Sequence, residues 1–404
     1  MAKKVKEENK EVKKSVASFF SALKKETGAE AFNKSKLTKV DHYVDTGCYA
    51  LNRICSGSIY GGLPSGAVSL FSGESATSKT LSTFIAAKNA IDKNGYGAII
   101  YVDSEGGANR GMLESVGIDM DLVQYVPVAT VEEATVRLIN IYKTIASYQE
   151  QDPNFKAMVI LDSLGGLVSE KVLLDADKDK SVADMGATQK RIGSMLRAVT
   201  IPAKKTNSML VILAQQYADP NAMFASKIQN IRGGKSVYYQ PSLIVQLARK
   251  LEKGEGKEDN FYESSVIRAF TIKTRNDVRP FLETEYIIDF KHGLKTKEFY
   301  GLIAPAIQLG FIKNPKQGWY QVPSYSDKLM RLADLEGGAE AKKIWDTFIQ
   351  DFDKASKEQI SYKSLSEEDS SEINEMKAEL NKKFFLNTEA LDEPVEETES
   401  VDEE

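Results

Sequence analysis

The sequence predicts an α/β fold, a mostly parallel, twisted sheet with helices on both faces. Three observations predict it. Short continuous apolar runs recur (Ala67 to Phe71, Ala98 to Val102, Ala157 to Leu161, Leu210 to Ala214), the pattern of strands buried on both faces. Between them lie longer segments of helical periodicity, such as Thr80 to Asn94 and Val131 to Tyr148, so strands and helices alternate as in a parallel sheet. Finally, the first run enters Phe71-Ser72-Gly73-Glu74-Ser75-Ala76-Thr77-Ser78-Lys79-Thr80. That stretch nearly matches the phosphate-cradling pattern of Gly, four residues, Gly, Lys, Ser/Thr between a strand and a helix.

The chain has 404 residues, 42% of them hydrophobic and 27% charged, enough for one large domain with smaller attachments. No apolar stretch approaches the roughly 20 residues of a membrane span, and Met1-Ala2-Lys3-Lys4 leads into charged residues with no signal-peptide core. Cys48 and Cys55 make neither a disulfide framework nor a metal site. A cytoplasmic protein without membrane partners is expected. With only His42 and His292, histidine-based chemistry is disfavoured. The net charge of −5 is dominated by nine acids between Glu389 and Glu404; without them it becomes about +4. The remainder tolerates a polyanionic partner. The acidic tail, 386–404, reads as a disordered, solvated segment or as a competitor for a basic nucleic-acid groove.

In chain order, residues 1–45 hold a Lys-rich start and a stripe of Val12, Val16, Phe19, Phe20 and Leu23 on one helical face, with Gly28 as a stop. Such a helix packs on its own core or on a neighbouring subunit. The main domain is expected over 46–300. Within it, Asp103-Ser104-Glu105, Asp162-Ser163 and Gln215-Gln216 end three of the apolar strands. Ligands of open α/β sheets sit outside the carboxyl ends of the strands, so these residues converge with the phosphate loop on one site. Strands Leu243 to Leu247, Val266 to Lys273 and Tyr286 to Phe290 are expected as antiparallel extensions. A small C-terminal domain, 301–385, follows.

The loop Gly73 to Thr80 would wrap backbone N–H groups around a polyphosphate at the positive end of a helix. Lys79 would reach the β/γ-phosphates and the Thr80 hydroxyl would ligand Mg²⁺. An ordinary strand-turn-helix joint is the alternative. Ser78 replaces the second Gly of the pattern; if positive φ is needed there, a non-Gly residue costs about 1–2 kcal/mol. Asp162 supplies the carboxylate that holds the Mg²⁺ water shell, and Glu105 can orient or deprotonate an attacking water.

These blocks resemble the RecA-type recombinases, most closely the phage UvsX recombinases. The resemblance spans about Thr46 to Tyr320. It is carried by Leu51-Asn52-Arg53-Ile54 through Gly61-Gly62-Leu63-Pro64-Ser65-Gly66, Asp103-Ser104-Glu105 and Leu161-Asp162-Ser163. It continues through Asp184-Met185-Gly186, Arg232-Gly233-Gly234-Lys235, Lys273-Thr274-Arg275, and Gly310-Phe311 to Gly318-Trp319-Tyr320. The UvsX pattern also lacks the Gly that Ser78 replaces.

The resemblance implies a RecA-like core, an N-terminal oligomerisation arm, ATP and Mg²⁺ as cofactors, and self-association into a helical filament on single-stranded DNA that pairs with homologous duplex. Single-strand-binding and loader proteins are further implied partners, and the cytosol of a bacterium or a phage-infected host is the implied location. Glu105 matches the catalytic glutamate and Gln215 the γ-phosphate sensor leading into a second DNA-binding loop, about Tyr217 to Lys235. The first DNA-binding loop would run from about Ser169 to Asp184. Gly233 and Gly234 match glycines whose N–H groups meet DNA phosphate. Lys227, Arg232 and Lys235, with Met223 and Phe224 nearby, suit a DNA strand independently of the resemblance. Lys273 and Arg275 match a basic pair reaching a neighbour's nucleotide. The family's base-stacking aromatic falls on Met112, with Phe290 as a further base contact, and Phe32 matches the inserting residue of the arm. A hexameric RecA-fold helicase and a non-hydrolysing RecA-like adaptor are the alternative functions.

Overall fold

The strand pattern read from the sequence becomes an eight-stranded sheet in the computed structural model, which describes residues 16–32, 34–107, 110–176, 186–217, 230–253, 262–289 and 297–362. The expected N-terminal helix, α1, is seen over 16–27 and stops at Gly28, φ 69°. Val16, Phe19, Phe20 and, beyond the helix, Phe32 are exposed. A short pair, β1 (Tyr43–Val44) and β2 (Leu63–Pro64), flanks helix α2 (Tyr49–Ser56). Then come β3 (Val68–Gly73), α3 (Lys79–Asn94), β4 (Ala98–Asp103), α4 (Arg110–Val116), β5 (Val123–Pro127), α5 (Val131–Tyr148) and β6 (Ala157–Asp162). They are followed by α6 (Glu170–Ala176), α7 (Ala187–Lys205), β7 (Leu210–Ala214), and the small hairpin β8 (Gln216–Tyr217) and β9 (Asn230–Ile231). Three long strands close the core: β10 (Leu243–Lys253), β11 (Tyr262–Thr274) and β12 (Glu283–Asp289).

The large sheet runs β12-β11-β10-β3-β7-β6-β4-β5. From β10 to β5 all neighbours are parallel. This corrects one expectation. The strand beginning at Leu243 is not an antiparallel extension; it pairs parallel with β3, with Leu243 opposite Ser69 and Leu247 opposite Gly73. Its Leu243-Ile244-Val245 run is completely buried, as a strand covered on both faces must be. Only β11 and β12 are antiparallel additions.

Alternation divides each strand between two cores. Met158 and Ile160 face a cluster containing Leu51 and Ile54 of α2 and Phe84 and Ala87 of α3. Val159 and Leu161 face Leu138 and Tyr142 of α5 and Leu196 and Val199 of α7. Each such aliphatic side chain contributes about 1.5–3 kcal/mol through burial. Helix boundaries follow local chemistry: the Thr130 hydroxyl accepts from the Glu133 N–H to start α5, and Gly95, at φ 66°, ends α3.

Residues 297–361 add α8 (Ile303–Gln308), a three-stranded sheet, and the helices α9 (Ala333–Glu336), α10 (Gly338–Trp345) and α11 (Ile349–Ile360). Their aromatic centre, Trp345 stacked on Phe299 at 4.9 Å, belongs to the same cluster as α2 and α3. Met1–Ser361 form one compact unit; of the second, Tyr362–Glu404, only Tyr362 is described. The expected acidic tail therefore lies outside the described residues.

Candidate active site

The loop behind β3 has the predicted backbone. Ala76 and Ser78 both hold positive φ, 59° and 60°, so the position where the motif calls for Gly does demand a left-handed conformation, and Ser78 adopts it. Lys79 opens α3, and its ammonium donates to the carbonyls of Gly73 at 2.9 Å and Glu74 at 2.8 Å, with the Thr77 hydroxyl at 3.4 Å. Glu74, Ser75 and Ala76 are exposed. Burial pulls the Lys79 pKa down, while the carboxylates of Asp162 and Glu105 push it back up.

Asp162, at the end of β6, meets this loop through Thr80, whose hydroxyl donates to Oδ2 at 2.9 Å; the Tyr101 hydroxyl donates to the same oxygen at 2.9 Å. Burial raises the Asp162 pKa, the two hydroxyl donors lower it, and Glu105 and Asp103 raise it again. Among the described residues no group of three or more His, Cys, Asp or Glu could form a metal cage. Two hard oxygen ligands, Thr80 and Asp162, instead fit Mg²⁺, which keeps most of its waters and takes phosphate oxygens.

Glu105 is exposed two residues beyond β4. Its Oε1 accepts from the Ser163 hydroxyl and, at 3.1 Å, from the Gln215 amide. Asp103 stands opposite Asp162 in register, and the two strand ends are laced by Ser104, whose N–H donates to the Asp162 carbonyl at 2.8 Å and whose hydroxyl donates to the Ser163 carbonyl at 2.6 Å. Gly166 completes this packing: a Cβ there would lie 2.6 Å from the Ser104 hydroxyl and 3.0 Å from the Glu105 side chain. Sequence reasoning places Ser163 only as a strand end beside the site and gives no role to Tyr101 or Gly166. A Gly-Gly pair three residues after a strand-ending Asp is the available signal for the last.

Gln215 follows β7 and leads directly into β8, which pairs with β9. The Arg232 N–H donates to the Gln215 carbonyl at 2.9 Å, so the root of the second expected DNA loop is tied to the Glu105 contact. Gly233 and Gly234 follow with φ of 114° and 78°, values an L side chain rarely adopts. Arg232 and Lys235 are exposed beside them. Lys227, Met223 and Phe224 lie outside the described residues, as does the first expected loop beyond Ala176. The two loop roots flank a cavity of about 410 Å³ lined by Leu164, Gly165, Gln189, Tyr217, Arg232 and Gly233.

Other expected residues fall apart from this cluster. Lys273 stands opposite Ile244, which is level with Leu70 of β3. That is three residues, about 10 Å, short of Gly73 along the strand and two strands away. Lys273 donates to the carbonyls of Tyr238 and Tyr239 at 2.9 and 2.6 Å, and Arg275 to that of Tyr239 at 2.9 Å. Both point at the chain entering β10, at the sheet edge away from the phosphate loop of the same molecule. Met112 is half-buried against the core, and Phe290 lies outside the described residues.

The chain is similar to known proteins. The model of the RecA N-terminal domain family matches residues 14–295. The chain is 26% identical over 287 residues to a recombination and repair protein of Enterobacteria phage T4, covering 71% of the chain and 68% of that protein. It is 23% identical over 234 residues to protein RecA of Gluconacetobacter polyoxogenes, covering 58% and 62%. It is likewise 23% identical over 293 residues to protein RecA of Clostridium beijerinckii, covering 71% and 74%. With its parallel sheet, its phosphate loop and a family match over most of its length, the chain belongs to the RecA N-terminal domain family.

Proposed function

We propose that this chain is a DNA-dependent ATPase of the recombinase type, which assembles as a filament on single-stranded DNA, pairs it with homologous duplex and exchanges strands. The observation that carries the reading is the convergence of Lys79, Thr80, Asp162, Glu105 and Gln215, from the ends of four parallel strands, on one edge of the sheet. In this reading Gly73 to Thr80 cradle the phosphates of ATP, and Lys79 exchanges its loop carbonyls for β/γ-phosphate oxygens. Thr80 and Asp162 hold Mg²⁺, which neutralises developing phosphate charge when bound. Glu105, exposed to solvent, takes the proton of the attacking water. Gln215 links Glu105 to the root of the second DNA loop, through which DNA binding reaches hydrolysis.

Lys273 and Arg275 lie too far from their own loop to serve it, and in a filament they supply charge to the neighbour's nucleotide, like an arginine finger given in trans. Arg232, Gly233, Gly234 and Lys235, with Lys227, receive the DNA backbone. The exposed stripe of the N-terminal helix and Phe32 pack on an adjoining subunit. Single-strand-binding and loader proteins are natural partners of such a filament, and the bacterial or phage-infected cytosol its natural location.

The test is the rate of ATP hydrolysis with and without single-stranded DNA, combined with gel filtration. Stimulated hydrolysis and long polymers are expected. Failure to hydrolyse ATP under either condition overturns the reading in favour of an adaptor, and a ring of fixed size in favour of a helicase.

A further inference from the structure

The Asp162 carboxylate carries one donor that the phosphate-loop pattern does not require. Thr80 belongs to that pattern; Tyr101 does not. Tyr101 sits on β4, 2% exposed, its ring against Phe84 at 5.3 Å and stacked on Tyr125 at 6.3 Å. The ring is buried against these two neighbours, and its hydroxyl donates to Asp162 Oδ2 at 2.9 Å. The Thr80 hydroxyl donates to that same oxygen. Neither hydroxyl donates to Oδ1.

We propose that Tyr101 is a positioning residue for the metal-holding carboxylate: it fixes Oδ2 against the sheet and so presents Asp162 in one rotamer toward Thr80 and a bound Mg²⁺. The inference rests on the nucleotide reading given above. The physical reason is preorganisation. Asp162 neighbours two other carboxylates, Asp103 and Glu105, both of which repel its charge. A carboxylate so placed swings away unless something other than the cation holds it. Thr80 holds this carboxylate from the first turn of α3, on the far side of the loop that must itself accommodate a nucleotide. Tyr101 holds the same oxygen from β4, a strand whose register with β6 is set by the sheet. Partners that orient a metal ligand in this way typically change metal affinity by 10–100-fold when removed.

The experiment replaces Tyr101 by Phe, which deletes one hydroxyl and keeps the packed ring, and measures binding of a fluorescent ATP analogue across a Mg²⁺ titration and in excess chelator. The inference expects the Mg²⁺ concentration for half-maximal tightening to rise about tenfold, with metal-free binding and the melting temperature close to wild type. A Mg²⁺ midpoint equal to wild type overturns the role of Tyr101 while leaving the nucleotide site intact. A wild-type protein that binds the analogue without any Mg²⁺ dependence overturns the nucleotide reading itself, and this inference with it. Should Tyr101→Phe melt early, Asp162→Asn provides a second measure. If Tyr101 acts through Asp162, Asp162→Asn and the double variant share one Mg²⁺ midpoint; a further rise in the double variant overturns the proposal.

Discussion

At the scale of single residues, Ser78 shows how a motif can lose its glycine and keep its geometry. At φ 60° it bears a conformational cost of about 1–2 kcal/mol, absorbed by a helix and strand that are well buried on either side. Glu105 shows the reverse, an exposed carboxylate whose orientation is fully specified by Ser163 and Gln215. Glu105→Gln should leave nucleotide affinity within about twofold and slow hydrolysis roughly 10²-fold or more, and filaments held by ATP should outlive wild-type ones under the electron microscope. Equal lifetimes would remove Glu105 from the chemistry.

Lys273 supplies a pH prediction. Burial, and then the charge of Arg275, lower its pKa from 10.5 to about 8. Because the folded pKa lies below the unfolded one, its charged form costs stability at pH below about 8, and that cost fades as pH rises from about 8 to 10.5. In the proposed filament, however, its cation serves a neighbour's phosphate. A neighbour's phosphate raises that pKa again, so DNA-stimulated hydrolysis should decline only at a pH above about 8, and Lys273→Arg, which stays charged, should extend the plateau. Parallel pH–rate profiles for the two proteins would argue against the role.

At the scale of elements, β8 and β9 pair at the root of the proposed second DNA loop, where the Gln215 carbonyl accepts from the Arg232 N–H. Replacing Lys227, Arg232 and Lys235 by Ala should weaken single-stranded DNA binding. The slope of log affinity against log salt should fall by about 0.7 for each DNA phosphate that is no longer neutralised, or roughly 2 in all. Hydrolysis without DNA should survive. A salt slope matching wild type would put the DNA elsewhere on the surface. The same scale explains why the direction of β10 is not legible in its residues. A run of Leu, Ile and Val states burial on two faces and says nothing of direction; the connection from α7 through β7 and the hairpin decides that it returns beside β3.

At the scale of the whole molecule, the sheet separates the two groups proposed to act on one nucleotide. Lys79 and its loop lie at the carboxyl edge, Lys273 and Arg275 at the other. Lys79→Ala should abolish turnover, since it removes the cation at the β/γ-phosphates. The double variant Lys273→Ala/Arg275→Ala should fold, keep its own loop and lose DNA-stimulated hydrolysis. Mixing the two inactive proteins should recover part of the turnover where an intact loop meets an intact pair, in proportion to total protein and only with single-stranded DNA. No recovery at any ratio, with mixed filaments verified by fluorescence, would sink action in trans and leave the ATPase reading standing.

Local pattern along the chain specifies the strands, the helix behind the phosphate loop, and the short list of polar strand ends from Asp103-Ser104-Glu105 to Gln215. Apolar period, capping and turn chemistry are each written within a few residues of one another, which is why these features can be read without coordinates. Other features exist only once the chain is folded. They include the parallel direction of β10, the single Asp162 oxygen shared by Tyr101 and Thr80, the room that Gly166 leaves for Glu105 to close on Ser163, and the turning of Lys273 away from its own loop. Each of these is a meeting of residues remote in sequence. Strand order and register set such meetings, and no local pattern encodes either one.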